Sequence, residues 1–393
     1  MAPPKTVVVI GGSWAGIKTT HGILKGIPNT KVVLINPSRN HYWNIAAPRI
    51  LAKPAFFKPD QHIHPIPDIF QKYDQKLFSF VQGAATAIDV DGKTVTVAIT
   101  SNEGKENTDS TIPFDYLVIA SGSTSLATLG QSSVPAPFKP TGSDDLVNTI
   151  KQSQKTISEA RSVIIGGAGA VGVEFAGELA EALKGKEGAS VTLLTGTDRI
   201  LPELKPRGSE KAHGILTNLG VKIRTSIMVS GASLDPSTNK WTVTLEGGET
   251  LTADAYISTT GVIPNNSFIP EDLLTDGWVP VDEEFRVQRK GGKEEDNVKL
   301  PIYAVGDITT RFPRLLNTIA AQVGALLPNL KADIQNLSGK RSLYKPPMSV
   351  IVIPIGGSTG TGQAMGWILW GWLVWLLKGR DYFLVMKSSL LMA

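Results

Sequence analysis

Two glycine-rich turns contain the residues of this sequence that are best suited to bind a charged ligand. The first lies in VVVIGGSWAG near the start of the chain, and the second lies in VIIGGAGAVG. Each turn follows a β-branched run typical of a strand buried on both faces, and each opens a helix-like pattern. Backbone N–H groups at the positive end of a helix bind pyrophosphate. The chain is therefore expected to contain two dinucleotide-binding units.

The spacing of the two turns follows the G-x-G-x-x-G pattern of dinucleotide-binding domains. In the first turn Ser13 stands where the middle glycine is usual, and a serine is small enough for a ligand to approach the backbone. Two such turns in one chain argue against a purely structural role. The residues expected to bind nucleotide at the turns are Gly11, Gly12, Ser13, Trp14, Ala15, Gly16, Gly167, Gly169, Ala170, Val171 and Gly172.

A second strand is expected after each helix, at residues 31–36 and 190–196. Asn36 and Thr195 then lie roughly 20 residues beyond the last glycine of each turn, where a side chain that contacts ribose is expected. Both residues are therefore candidates for nucleotide binding.

Other stretches organise the rest of the chain. Residues 115–123, 254–265 and 300–308 are also strand-like, and the last of these runs ends in Gly-Asp. Three prolines mark residues 131–140 as a linker. The charged stretch at residues 288–297 is interpreted as a solvated loop.

The composition excludes several classes of function. With 393 residues, 41% of them hydrophobic and 19% charged, the chain has the make-up of a folded protein of two or three domains. The net charge of +4 is mild and no dense run of Lys and Arg is present, so no nucleic-acid partner is expected. The absence of cysteine excludes disulfides and a redox-active C-x-x-C. No metal site is expected, because the pair of His62 and His64 lacks further ligands.

Several motifs together carry a resemblance to a known group of enzymes. The stretches VVVIGGSWAG, VIASGS, VIIGGAGAVGVEFAGEL, STTGVIPN and IYAVGD resemble the flavoprotein reductases that have two dinucleotide-binding domains and a pyridine nucleotide-disulfide reductase-like fold. Residues 41–50 and the tail from Tyr344 resemble, within that group, the apoptosis-inducing-factor-like, ferroptosis-suppressor type of NAD(P)H:quinone oxidoreductase. They resemble the type II NADH dehydrogenases more distantly. The resemblance covers nearly the whole chain.

The resemblance implies an α/β fold with two Rossmann-like dinucleotide-binding domains and a C-terminal segment. The FAD-binding domain is expected to be discontinuous, at residues 1–125 and 265–335. The NAD(P)H-binding domain is expected at residues 126–264, inserted between those two parts. Residues 336–393 are expected to cap the flavin and to carry a hydrophobic surface.

The activity implied by the resemblance is hydride transfer from NAD(P)H to FAD, followed by reduction of a quinone-type acceptor. The missing cysteines agree with a direct acceptor, because related disulfide reductases pass electrons to a cysteine pair. Two other functions remain open. One is a biosynthetic flavoprotein oxidase or monooxygenase that acts on a small molecule, although the histidine-containing motif of common flavin monooxygenases is missing. The other is an NAD(P)H-binding redox signalling protein.

Several site residues follow from the resemblance alone. Asp307, in YAVGD, is expected to reach the ribityl and pyrophosphate region of FAD. The expected catalytic residues are Glu174, where nicotinamide and flavin meet, and Lys345, near the flavin ring, where a cation stabilises the reduced flavin. Arg49 is also expected near the flavin. For Glu174 the alternative is a surface glutamate that the helix dipole favours. For Lys345 the alternative is an exposed lysine in a loop. Further cofactor-binding positions are Ala85, Ser121, Gly122, Gly261 and Gly306.

Two departures from the family pattern concern the ribose positions. The first unit has the neutral Asn36 where such FAD domains usually have Asp or Glu, so we expect weaker FAD binding or a ribose bound elsewhere. The second unit, at Thr195, lacks the acidic residue that favours NADH. Because Arg199 follows shortly after, NADPH also remains a candidate cofactor. The alternative is that Arg199 only faces solvent. The expected cofactors are therefore FAD with NADPH or NADH.

The apolar stretch GWILWGWLVWLLKGRDYF holds four of the eight tryptophans. It is shorter than the ~20 residues that a bilayer-spanning helix needs. Because tryptophans favour the membrane–water interface, we expect peripheral membrane contact through residues 365–383. A buried core helix and a homodimer interface are the alternatives.

The start of the chain bears on localisation. The strand-like run that begins by Thr6 leaves no room for a signal peptide, so a cytoplasmic protein peripheral to a membrane is expected. The sequence does not distinguish a lipid droplet, the plasma membrane and the mitochondrial outer surface.

Overall fold

The computed structural model describes residues 3–99, 108–140, 142, 145–290 and 299–391. The loop expected at residues 288–297 therefore lies largely outside the described part of the chain. The described residues form two nucleotide-binding units and a C-terminal segment.

A seven-stranded sheet forms the core of the first unit. The strand Lys5–Ile10, the middle one of its five parallel strands, carries Val7, Val8 and Val9, which are fully buried, as the β-branched run predicts. Five of the strands are parallel, and the longest continues into an antiparallel extension. In spatial order the strands are Ile302–Ala304, Tyr116–Ile119, Lys5–Ile10, Thr30–Asn36, Phe78–Asp89, Thr94–Ile99 and Thr108–Pro113.

Residues far apart in the sequence complete this sheet. The strand Ile302–Ala304 pairs in parallel with Tyr116–Ile119, so the chain leaves the first unit, builds the second and then returns. The carboxyl ends of these strands lie at one edge of the sheet, where ligands bind in open α/β folds. The first glycine-rich turn, Gly122 and Asp307 all follow strands that end at this edge.

The second unit repeats this plan on a smaller scale. It has a parallel sheet of four strands with an adjoining antiparallel sheet of three strands. The parallel strands in spatial order are Lys222–Arg224, Ser190–Leu194, Ser162–Gly166 and Ala255–Ser258, and the antiparallel strands are Val229–Asp235, Lys240–Leu245 and Thr250–Ala253. The predicted α/β fold with two Rossmann-like units, the first of them discontinuous, is therefore confirmed.

Helices and small strand pairs complete the two units and the C-terminal segment. The pair of Ser123–Thr124 with Ile263–Pro264 ties together the two passages of the chain between the units. A second pair joins Asn40–Tyr42 to Ile63–Pro65. The α-helices are Trp14–Gly26, Ala47–Ala52, Pro59–His62, Ile66–Ile69, Leu126–Leu129, Leu146–Glu159, Ala170–Ala182, Pro206–Asn218, Leu316–Ile334, Gly371–Val374 and Lys387–Leu391. The 3₁₀ turns are Asn44–Ala46, Glu271–Leu273 and Leu384–Met386.

The C-terminal segment begins with an antiparallel sheet of Val350–Ile355, Thr359–Ala364 and Trp367–Ile368. This sheet packs against helices of the second unit. Gly177 in one of these helices is so close that a Cβ on it would lie 2.7 Å from the Gly356 nitrogen. Only a glycine at this position allows the sheet to approach the helix so closely.

The last residues return to the first unit. After the π-helical turn Trp375–Gly379, the backbone oxygen of Tyr382 accepts a hydrogen bond of 2.8 Å from Trp43 Nε1. The backbone oxygen of Leu391 lies 2.7 Å from His21 Nε2. The C-terminal segment therefore links both units.

The tryptophan-rich stretch is not a buried helix. Trp367 is 79% exposed, Trp370 is 66% exposed and Trp372 is 60% exposed. Val374 is fully buried and anchors the stretch. Among the helices of the described chain, none is long and apolar enough to cross a bilayer. The core-helix alternative is therefore wrong, and these tryptophans form an apolar surface.

Buried histidines make the stability of the first unit sensitive to acid. Burial lowers the pKa of His21 to about 4, of His41 to about 3 and of His64 to about 4. The unfolded chain keeps histidine pKa values near 6.5, so acid protonates the unfolded state first. We expect the free energy of unfolding to fall as the pH drops from about 6.5 to about 4, by up to about 1.4 kcal/mol per pH unit for each histidine. Urea unfolding across that window measures the slope.

A pair of variants separates this effect from the titration of carboxylates. The variant His41→Gln removes one buried histidine and is expected to flatten the slope. The variant His213→Gln changes an exposed histidine and is expected to leave the slope unchanged. Equal slopes in both variants would contradict the assignment.

Candidate functional site

The same steric constraint shapes both glycine-rich turns. Gly11 has a φ of +115° and Gly167 has a φ of +108°, a backbone region that favours glycine. A Cβ on Gly16 would lie 1.7 Å from the Gly11 oxygen, and a Cβ on Gly172 would lie 2.0 Å from the Gly167 oxygen. Glycine is therefore required where the following helix packs against the turn.

The middle position of the pattern tolerates a serine. Gly169 has a φ of −73°, and a Cβ there would meet no atom within 4 Å. Ser13 occupies the corresponding place before the helix Trp14–Gly26, with an ordinary φ of −99°. The departure at Ser13 therefore leaves the turn intact. In both units the start of a helix is presented at the edge of the sheet, as pyrophosphate binding requires.

A cleft of about 440 Å³ opens at the edge of the first sheet. Most positions expected to bind FAD line it: Gly11, Gly12, Ser13, Trp14, Ala15, Asn36, Ala85, Ser121, Gly122, Gly306 and Asp307. As far as the chain is described, no lining residue comes from residues 336–393. The C-terminal segment, expected to cap the flavin, thus contributes nothing to the wall of this cleft.

Asn36 is engaged by the protein itself. Its Oδ1 accepts a hydrogen bond of 2.8 Å from the Gly12 N–H, and its Nδ2 donates one of 2.7 Å to the backbone oxygen of Ser38. A carboxylate could accept the first bond but could not donate the second. This pair of contacts is a structural reason for the neutral residue at the ribose position of the first unit.

Lys139 is a cleft residue that the sequence reasoning missed. Its Nζ lies 2.6 Å from Asp307 Oδ2 and 2.8 Å from Ser123 Oγ, and all three residues line the cleft. The lysine belongs to residues 131–140, which the sequence marks only as a linker. No motif surrounds it, and only its pairing with a residue 168 positions away reveals it.

Hydroxyl groups occupy the ribose position of the second unit. Thr195 Oγ1 lies 2.8 Å from Thr197 Oγ1, which donates to the backbone oxygen of Arg199 at 2.7 Å. The Arg199 guanidinium turns back to its own loop and donates from Nη2 to the Pro202 oxygen at 2.9 Å. Since Arg199 is engaged locally, it provides no argument for NADPH over NADH.

The remaining positions expected to bind NAD(P)H share one edge of the second sheet. Val171 is 40% exposed at the start of the helix Ala170–Ala182. Gly261, with a φ of +64°, is exposed in the loop after the strand Ala255–Ser258.

A buried ion-pair network joins the helix Ala170–Ala182 to the first unit. Glu178 is fully buried, and its Oε1 accepts hydrogen bonds from Arg49 Nη2 at 2.6 Å and from the Tyr382 hydroxyl at 3.1 Å. Lys53 Nζ lies 2.8 Å from the other carboxylate oxygen. Burial alone would raise the pKa of Glu178, but Arg49 and Lys53 hold it below its usual value. The carboxylate therefore stays ionised and binds the two units together.

The same helix contacts the C-terminal segment. Glu174 is 3% exposed and pairs with the Lys378 ammonium, and burial raises the pKa of Glu174 in spite of that cation. Glu181 accepts a hydrogen bond of 2.9 Å from the Gly357 N–H. The alternative of a surface glutamate is therefore wrong for Glu174. The structure pairs this residue, expected where nicotinamide and flavin meet, with Lys378 of the C-terminal segment.

Two cations expected near the flavin ring lie outside the cleft. Arg49 is 1% exposed, and besides Glu178 it contacts the backbone oxygen of Gly379 at 2.6 Å. Lys345 is exposed in the chain that precedes the C-terminal sheet. Neither residue lines the described cleft. The sequence shows that Arg49 is basic, but it could not show that the Glu178 carboxylate is its partner.

The residues of the cleft suit a dinucleotide. They provide a glycine turn that a Cβ would fill, the start of a helix for a pyrophosphate, and a lysine beside an aspartate. FAD supplies hydride and electron transfer when it is bound. Within the described ranges, no three His, Asp or Glu side chains are grouped to hold a metal.

Comparison with known proteins assigns the class. Residues 5–324 match the pyridine nucleotide-disulphide oxidoreductase family, so the chain belongs to that family. The family is FAD-dependent and uses NAD(P)H.

Individual relatives refine this assignment. The chain is 34% identical over 382 residues to Oxidoreductase ptaL of Pestalotiopsis fici, covering 94% of each protein. It is 25% identical to the Homo sapiens ferroptosis suppressor protein 1, over 96% of this chain and 93% of that protein. The X-ray structure of sulfide:quinone oxidoreductase from Aquifex aeolicus superposes with a TM-score of 0.73 at 19% identity, covering 99% of this chain and 92% of that one. The resemblance is confirmed at the level of the family, with higher identity to the fungal oxidoreductase than to the ferroptosis suppressor.

Removing one side of the buried ion pair is expected to destabilise the protein. In the variant Arg49→Met, Glu178 keeps only Lys53 as a cationic partner, and a buried charge that loses its partner costs about 3–5 kcal/mol. Urea unfolding measures this loss.

Two further variants control this measurement. The double variant Arg49→Met/Glu178→Gln is expected to recover part of the lost free energy of unfolding. The glutamine in place of Glu178 is neutral, so no buried carboxylate remains without its arginine partner. The variant Lys345→Met, at an exposed position, is expected to change the free energy of unfolding by less than about 0.5 kcal/mol. If Arg49→Met were as stable as Lys345→Met, the network would have no stabilising role.

Proposed function

We propose that this protein is a FAD-dependent NAD(P)H oxidoreductase that acts on a small organic molecule, as a biosynthetic flavoprotein does. The observation that carries the proposal is the pair of glycine-rich turns with one steric design, each at the ligand-binding edge of its own parallel sheet. The similarity to a fungal oxidoreductase over 94% of both chains supports it.

The roles of the chain follow from its geometry. The first turn, with Asp307 and Lys139 in the same cleft, holds FAD, which accepts a hydride when bound. The second turn binds NAD(P)H. The contact between Glu178 and Arg49 holds the NAD(P)H-binding helix against the first unit, and such fixed placement of two reactants is a large part of catalysis. With no cysteine to receive electrons, the substrate must reach the flavin directly.

A quinone at a membrane surface is a second candidate acceptor, which one specific feature favours. The tryptophan surface is the set of exposed apolar side chains Met365, Trp367, Trp370, Trp372, Leu376 and Leu377. Tryptophan rings concentrate at membrane–water interfaces, and exposed apolar patches mark binding surfaces. A lipid-soluble substrate would reach the protein from such an interface.

Anaerobic reduction of the flavin tests the proposed function. The purified protein with FAD is expected to lose its flavin absorbance when NADPH or NADH is added. The variant Gly172→Ala places a Cβ 2.0 Å from the Gly167 oxygen and is expected to slow this reduction by roughly tenfold or more while FAD stays bound. The matched variant Gly16→Ala, with the same clash in the first turn, is expected to lose FAD itself.

The return of the absorbance identifies the acceptor. Recovery only when oxygen is admitted supports an oxidase or monooxygenase, whereas fast recovery with a short-chain ubiquinone selects quinone reduction. Slow recovery with both acceptors favours a redox signalling protein. No reduction by either nucleotide in the FAD-loaded protein would refute the oxidoreductase proposal.

Vesicle binding tests the membrane contact. The variant Trp370→Ser/Trp372→Ser removes two stacked rings of the tryptophan surface and is expected to weaken co-sedimentation with phosphatidylcholine–phosphatidylserine vesicles by roughly tenfold. The control Leu234→Ser changes an exposed apolar residue of the second unit and is expected to bind as the unchanged protein does.

The same variants distinguish the other occupant of this surface. If the unchanged protein ignores vesicles but sediments as a dimer that the double tryptophan variant disrupts, the surface is a homodimer interface.

A further inference from the structure

Lys139 is held directly beside the first glycine-rich turn, although it comes from a distant part of the chain. Its ammonium lies 2.6 Å from Asp307 Oδ2. Asp307 directly follows Gly306, and a Cβ on Gly306 would lie 2.9 Å from the Cβ of Ala15. Ala15 is the second residue of the helix Trp14–Gly26, whose start is expected to accommodate a pyrophosphate. The lysine is therefore fixed next to the expected pyrophosphate position.

One N–H group of this ammonium is left for a ligand. A lysine ammonium has three N–H donors and no acceptor. Within the described chain two atoms accept from it, Asp307 Oδ2 at 2.6 Å and Ser123 Oγ at 2.8 Å. The lysine side chain is 21% exposed, and all three residues line the cleft. The third donor is therefore available to a ligand in the cleft.

The charges of the cleft make this ammonium important for an anionic ligand. Of the described residues that line the cleft, Lys139 is the only cation and Asp307 is the only anion. The Asp307 carboxylate repels a pyrophosphate, and partly buried charges are screened much less than exposed ones. The paired ammonium compensates this repulsion. A cleft that contains Asp307 therefore depends on Lys139 to hold a diphosphate.

We propose that Lys139 binds the pyrophosphate of FAD. It donates its third N–H to the diphosphate and neutralises Asp307, while Ser123 and Asp307 position its ammonium. Hydrogen bonds between a cation and a phosphate are roughly twice as strong as those between neutral groups. The inference rests on the proposed function and deepens it, because it names the group of the cofactor that a side chain outside the glycine-rich turn recognises.

Two fragments of FAD separate the pyrophosphate from the flavin ring. ADP keeps the diphosphate without the flavin, whereas riboflavin keeps the flavin without the diphosphate. The dissociation constants of FAD and riboflavin are measured by titrating the full-length apoprotein and following flavin fluorescence. ADP is measured as a competitor of FAD, so that any ADP bound at the second turn does not contribute.

The variant Lys139→Met is expected to weaken the binding of FAD and of ADP by the same factor, about tenfold or more, because a hydrogen bond to a charged group is lost. The binding of riboflavin is expected to stay unchanged. Lys139→Arg keeps a cation and a donor and is expected to retain most of the affinity for FAD and ADP. Lys345→Met removes an exposed cation outside the cleft and is the matched control, with no change expected for any of the three ligands.

Each other outcome has a definite meaning. An unchanged affinity of Lys139→Met for ADP overturns the inference. An equal loss of affinity for riboflavin also overturns it, because the lysine would then serve the flavin ring or the shape of the cleft. If Lys139→Met does not fold, Lys139→Gln and Ser123→Ala are measured in the same way, and an unchanged affinity for ADP in both overturns the inference. Failure of the unchanged protein to bind FAD would instead defeat the proposed function.

Discussion

The ion pair between Glu178 and Arg49 is the contact on which the arrangement of the units depends. Both side chains are almost completely buried, so separating them would leave a charge in the interior without its principal partner. The cost of burying charges makes such a pair poor evidence of net stability, but it strongly penalises any structure that breaks the pair. Tyr382 and Lys53 complete the contact, so the first unit, the second unit and the C-terminal segment all meet at one carboxylate.

The helix Ala170–Ala182 therefore has two tasks. Its first residues follow the glycine-rich turn and present backbone N–H groups at one edge of the second sheet. Its glutamates hold it against the rest of the molecule, with the buried Glu174 on Lys378 and the partly exposed Glu181 on the loop of the C-terminal sheet. Because one helix carries both features, the glycine-rich turn of the second unit is fixed relative to the cleft of the first. The C-terminal segment acts here as a brace, and its tryptophans are left on the outside.

Two residues give the cleft of the first unit its polar character. Asn36 is neutral at the ribose position, where an acidic residue is usual, and Lys139 is a cation that no motif predicted. Both ends of the Asn36 amide form hydrogen bonds with the backbone, and a carboxylate could not donate the second of these bonds. Lys139 comes from a proline-rich connection and is aligned by Asp307. Among the described residues that line the cleft, backbone N–H groups and one lysine are the positive groups available to an anionic ligand. The small number of charged side chains in the cleft agrees with the mild net charge of +4.

The sequence by itself determined the two dinucleotide-binding turns, the strands that feed them and the absence of a thiol acceptor. Glycine at a positive φ and β-branched residues in buried strands are local requirements, so they can be recognised along the chain. Only the tertiary structure decided which charges meet. Arg49 and Glu178 are 129 positions apart and Lys139 and Asp307 are 168 apart, and the strength of an ion pair depends on distance in space and on burial, not on spacing in the chain. For that reason the sequence could not show that Arg49 pairs with Glu178 between the units or that Lys139 pairs with Asp307 in the cleft.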